Sequence, residues 1–162
     1  MNKGNSILRR FRDVNLPNGN DYDVSTLEGK RRYTDAWSEL AKASDVIVKA
    51  IVHYLVQPMK SSETRFMRKL LKHSERCRVL GERTYANWMR TADWVENSKL
   101  NVGEILWTFL GEKTQKEKWS VLEERAISTE TQKCAKLYNA VSRERELLLI
   151  ELDAVRKGEN GC

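Results

Sequence analysis

Apolar residues recur three and four positions apart along most of this chain, and no stretch alternates as a strand would. From about Leu27 to Gln57, Tyr33, Trp37, Leu40, Ala43, Ile47, Ala50 or Ile51, Tyr54 and Leu55 mark one helix face, and Pro58 ends the run. Within it, "SDVIVKAIVHYLV" is apolar around much of its circumference, which predicts burial on more than one side. After Pro58, Phe66, Met67, Leu70, Leu71 and Cys77 oppose a strongly basic face; Ser61 or Ser62 caps this helix and Glu63 sits in its first turn. Gly81 is a candidate interruption before Tyr85, Trp88, Met89, Ala92 and Trp94, and Asn97–Ser98 a predicted break.

A last helical stretch runs from near Asn101 towards Lys157, with Gly103 and Gly111 as early interruptions and "ISTET" at 127–131 as a predicted kink. Its final part is the most regular in the chain. Cys134, Tyr138, Val141, Leu148, Leu152 and Val155 form a three-four seam of about three heptads, suited to coiled-coil-like packing. Arg145 is the single charged intruder in that seam.

Ahead of these helices stands "GNSILRRFRDVNLP", residues 4 to 17. On a helix, Ile7, Leu8, Phe11 and Val14 fall on one face, while Arg9, Arg10 and Arg12 project elsewhere. Residues 17–26 hold Pro17, Gly19 and several Asn and Asp residues and read as a linker. The predicted organisation is therefore a basic amphipathic segment at 1–16, a linker at 17–26, a helical domain at 27–158 and a short tail at 159–162.

Composition supports helices over sheets: the 162 residues include two prolines and eight glycines, with 32% charged and 40% hydrophobic side chains. The longest apolar run, "ILWTFL", is far too short to span a bilayer, and the N-terminus lacks the apolar core of a secretory signal. Cys77, Cys134 and Cys162 are an odd set without metal-ligand spacing, which fits a cytoplasmic setting. The net charge of +6 is concentrated in two blocks. Residues 1–20 carry four basic side chains against one acid, and residues 59–90 carry nine against three. The intervening and following segments are nearly balanced, so the expected partner is anionic.

Catalytic chemistry is not expected. His53 and His73 lie on separate helices without a nucleophile–base arrangement, and no glycine-rich phosphate loop, metal site or cofactor motif stands out. Glu123–Glu124 reads as a solvated pair. Trp37, Trp88, Trp94, Trp107 and Trp119 have the spacing of core or interface residues rather than of base-stacking platforms.

The N-terminal pattern alone fits three states: an interfacial membrane helix, a segment docked on the folded body, or a disordered tail. An isolated helix of this length does not offset its nucleation cost in water. At an anionic bilayer its apolar stripe enters the headgroup boundary, and each basic residue adds on the order of 1 kcal/mol. The second block repeats the theme, with Phe66, Met67, Leu70 and Leu71 beside Lys60, Arg65, Arg68, Lys69 and Lys72. A helix with a solvated basic face also accounts for it.

The order of these features resembles the front part of an N-BAR domain of the endophilin type. That family opens with a basic amphipathic helix, similar to residues 5–14, and its first long helix ends in a "YLQP"-like signature, similar to "HYLVQP" at 53–58 with one extra residue. A basic amphipathic insert follows, matched by residues 60–90. "NVGEILWTFLGE" at 101–112 resembles the family's "GxALxxxGE" motif, and "LLIELDAVRKG" at 148–158 its "RLDLDAAK" stretch. The family's domain continues into a third long helix, whereas this chain ends at Cys162. The resemblance therefore implies a truncated or divergent BAR protein whose 134–155 seam needs another partner.

The expectation is an all-α protein of long antiparallel helices, an incomplete BAR-type bundle, bound peripherally to anionic phospholipid membranes in trafficking or endocytosis. Ile7, Leu8, Phe11 and Val14 insert; Arg9, Arg10, Arg12, Lys60, Arg65, Arg68, Lys69 and Lys72 engage headgroups. Tyr138, Val141, Leu148, Leu152 and Val155 mediate self-association, as a homodimer or with a BAR-like partner. The alternatives are a nucleic-acid-binding or regulatory protein using residues 60–90, and a helical adaptor docking a protein partner.

Overall fold

The computed structural model describes the backbone of residues 3–100 and 102–160, and side chains over 4–90 and 125–154. It contains four α-helices: α1 (Lys3–Asp13), α2 (Leu27–Leu55), α3 (Ser61–Leu100) and α4 (Val102–Asn160). Among the described residues there is no strand. The all-α expectation therefore holds.

Local chemistry sets the ends of α2. The Asp23 carboxylate accepts from the Ser25 hydroxyl at 2.5 Å and from the Ser25 amide at 3.1 Å, which turns the chain; these bonds, the hydroxyl's first, hold the Asp23 pKa below its ordinary value. Thr26 then caps the helix, its hydroxyl accepting from the Gly29 amide at 3.0 Å. At the other end Pro58 forbids continuation, and the Tyr54 hydroxyl donates to the Glu63 carboxylate, tying the end of α2 to the first turn of α3.

From there α3 runs back along α2, and α4 runs back along α3. Two apolar clusters show this. Ile47, Ile51 and Tyr54 of α2 meet Phe66, Met67 and Leu70 of α3 and Leu148 and Leu152 of α4. Further along, Trp37 and Leu40 meet Cys77 and Leu80, then Cys134 and Val141. Edge-on aromatic contacts brace the second cluster, with Trp37 5.9 Å from Tyr138 and Tyr33 5.2 Å from Trp88. Trp37 and Trp88 thus serve packing, while Trp94, Trp107 and Trp119 lie outside the described side chains.

Several sequence expectations are corrected. α3 passes through Gly81 and Asn97–Ser98 without a break, and α4 passes through Gly103, Gly111 and the 127–131 stretch. The reason at Gly81 is packing: a Cβ there would stand 2.7 Å from the Trp37 carbonyl oxygen and 2.8 Å from the Ala41 amide nitrogen. The missing side chain lets α2 and α3 approach closely. The second half of α2 is also less enclosed than its composition implies. Ile47, Val48 and Ile51 are buried, but Val46, Val52 and Val56 are exposed.

Gly81→Ala tests this crossing. On an exposed helix the change gains up to about 1 kcal/mol of propensity. Here the clash should reverse the sign and cost about 1–3 kcal/mol. Urea unfolding should show a lower midpoint with an unchanged slope.

Candidate functional site

The first basic block and the opening turns of the second, separated by some forty residues of sequence, share one apolar cluster at an end of the bundle. α1 lies on the first apolar cluster through Ile7, 4% exposed, and Phe11, 1% exposed, with Leu8 and Val14 packed partly buried beside them. Their neighbours Phe66, Met67 and Leu70 belong to the same turns of α3 that carry Arg65, Arg68, Lys69 and Lys72.

In this structure the segment is docked on the bundle. The insertion quartet faces the protein interior, because α2, α3 and α4 leave an apolar groove that α1 fills. The docked state was one of the three the pattern allowed, and hydrophobic spacing alone does not separate a bilayer from a core groove as the acceptor.

The predicted headgroup residues divide into two groups. Arg9, Arg10, Lys60, Arg65, Arg68 and Lys72 are exposed, and among the described residues no ion pair engages them. Arg12 instead pairs with Asp153 of α4, and Lys69 lies 3.3 Å from Glu151. Met59, Ser61, Thr64, Arg65, Arg68, Lys69 and Lys72 line an open groove of about 520 Å³ along the start of α3. Such a groove presents hydroxyls and cations to an anion, with Arg suited to bidentate contact.

The self-association seam is also covered within the chain. Val141, Leu148 and Leu152 are buried in the two clusters and Tyr138 packs against Trp37, so these four are committed to α2 and α3; Val155 lies outside the described side chains. The exposed apolar residues of this part of α4 are Leu147 and Ile150, off the seam.

Arg145, which no predicted role included, organises the underside of α1. Its Nη2 donates to the carbonyls of Phe11 at 2.8 Å and Arg12 at 3.3 Å, and also to that of Val14. Phe11 and Arg12 lie in the last turn of α1 and Val14 just beyond it, where helix carbonyls lack intrahelical partners; the Phe11 carbonyl also accepts from the Val14 amide at 3.3 Å. The guanidinium also lies 4.6 Å from the Phe11 ring centroid, a cation–π contact. Burial lowers the Arg145 pKa from its ordinary value, yet a guanidinium remains charged. The sequence signal was its place as the only charge in the seam.

Beside it, His73 is 1% exposed, edge-on to Phe11, with Nδ1 2.8 Å from Glu144 and Nε2 3.5 Å from the Cys77 sulfur. With Glu144 ionised, Nδ1–H donates to the carboxylate and Nε2 accepts the thiol proton. Glu144 also accepts from Arg76 at 3.1 Å. Burial lowers the imidazole pKa; Arg145 and Arg76 act in the same direction, and Glu144 opposes them. Burial likewise pushes the Cys77 thiol up to about 12, leaving it protonated and unreactive.

Among the described residues no group of three or more His, Cys, Asp or Glu side chains is placed to hold a metal, and no helix is long and apolar enough to cross a membrane. No protein-family model, curated protein or solved structure matches the chain.

The depressed His73 pKa gives a sign for acid sensitivity. Because the folded-state value lies below the ordinary 6.5, the His73 contribution to stability is present above that pH and is lost as pH falls below it. The melting temperature of the wild type should therefore drop more steeply between about pH 7 and about pH 5 than that of His73→Gln, measured by circular dichroism.

Proposed function

We propose that this protein binds anionic phospholipid membranes peripherally, through the basic end of its helical bundle, in the manner implied by its BAR-type resemblance. The carrying observation is the convergence of unpaired cations from α1 and α3 around one apolar cluster. Arg9 and Arg10 of α1 and Lys60, Arg65, Arg68 and Lys72 of α3 make the electrostatic footprint.

Exposed apolar residues favour lipid over nucleic acid. Val52 and Val56, 51% and 82% exposed, stand at the same end, and partly buried Met59 lines the groove beside the cations. A phosphate backbone offers such side chains nothing, whereas a headgroup–acyl boundary accepts both cations and apolar surface. Doubled-back long helices are also the architecture from which BAR-type membrane modules in trafficking and endocytosis are built.

Sedimentation with vesicles containing phosphatidylserine, against neutral phosphatidylcholine vesicles, tests the reading. The wild type should sediment with the acidic vesicles only. Arg65→Glu combined with Lys72→Glu should weaken recovery more than tenfold, at about 1 kcal/mol for each basic residue lost and a further repulsion for each acid gained. Equal recovery on both vesicles refutes it; recovery on neither, with tight, salt-sensitive binding to an oligonucleotide, refutes it in favour of the nucleic-acid reading.

A further inference from the structure

Ile7 and Phe11 cannot fill the bundle core and enter a bilayer at the same time. We infer that α1 is a detachable plug held by Arg145, and that anionic membranes bind in competition with its docked state. The inference rests on membrane binding being the function.

Three observations carry it. First, α1 spans eleven residues and is followed by a connector whose only regular piece is the 3-10 turn Gly19–Asp21. A helix this short is marginal alone, so its order comes from docking. Second, beside its apolar contacts with Leu148 and Leu152, its polar attachment to α4 is made by long side chains: Arg145 on the carbonyls of Phe11, Arg12 and Val14, and the partly exposed Arg12–Asp153 pair. An exposed ion pair is screened and weak, which leaves Arg145 as the main polar hold. Third, the two side chains that the core gains from α1 are the ones whose helical face also suits a bilayer. Release into water is unfavourable because both become solvated. Release at a membrane replaces one apolar environment with another, and the nearby cations of α3 hold the surface close.

The latch makes a prediction opposite in sign to simple electrostatics. Arg145→Ala removes a cation, so charge alone predicts weaker binding to acidic vesicles. If α1 must leave its groove, the same change tightens binding, because apparent affinity scales with the undocked fraction. The expected gain is on the order of tenfold, the loss of a charge-assisted cap. Without lipid, trypsin cleavage at Arg9, Arg10 and Arg12 should accelerate by a similar factor. Arg145→Lys keeps the charge but not the reach to several carbonyls, and should shift both readouts the same way by less. Phe11→Glu added to Arg145→Ala should abolish the gain.

Far-ultraviolet circular dichroism checks that the bundle stays folded; Asp153→Asn, outside the seam, is the second variant and should shift both readouts in the same direction. Weaker vesicle binding by folded Arg145→Ala, unchanged binding, or a gain that survives Phe11→Glu overturns the plug while leaving the membrane reading intact. A wild type that fails to bind acidic vesicles overturns both.

Discussion

One guanidinium decides how the N-terminal helix belongs to the rest of the molecule. Arg145 satisfies carbonyls at the end of α1 and lies over the Phe11 ring, so a single side chain supplies both a helix cap and a stacking surface. The apolar contribution depends on it geometrically. With α1 ended and oriented by that cap, Ile7 and Phe11 reach the groove formed by Ile47, Ile51, Leu70 and Leu148. Burial of two such side chains is worth roughly 1.5–3 kcal/mol each, larger than the cap but without direction. The hydrophobic effect supplies the attraction, and Arg145 fixes where α1 stops.

That arrangement places the charge of the chain. Acids on α4 neutralise the cations within their reach, Arg12 through Asp153 and Lys69 through Glu151. The exposed cations of α1 and of the start of α3 that no acid reaches among the described residues keep their field. An exposed cluster without local compensation raises the potential over one end of the molecule and steers anions to it.

Much of this was legible from periodicity. The seam is buried at Cys134, Val141, Leu148 and Leu152 and partly buried at Tyr138, and α2 starts at Leu27 and ends shortly before Pro58, as its pattern marks. What periodicity lacks is the identity of the acceptor. The stripe on α1 reads the same whether it meets lipid or Leu148, and the stripe on α4 reads the same whether its partner is another chain or α2 and α3. Gly81 was opaque for a related reason. In sequence a glycine suggests loss of helix, and only the adjacent Trp37 backbone shows that close approach is its purpose. Arg145 stood out as an anomaly in the heptads, but its acceptors lie more than 130 residues away in the chain.

The same anomaly has a consequence for helix alignment. Between the two apolar clusters each long helix contributes polar groups: Ser44 between Leu40 and Ile47 on α2, His73 and Ser74 between Leu70 and Cys77 on α3, and Glu144 and Arg145 between Val141 and Leu148 on α4. Apolar heptads alone tolerate sliding, since a shift of seven residues again sets hydrophobe against hydrophobe. Here such a shift would strip Glu144 from His73 and drive a guanidinium into an apolar layer, leaving buried charge unpaired. The polar stratum thus works as a vernier, with one setting at which all the long helices read true.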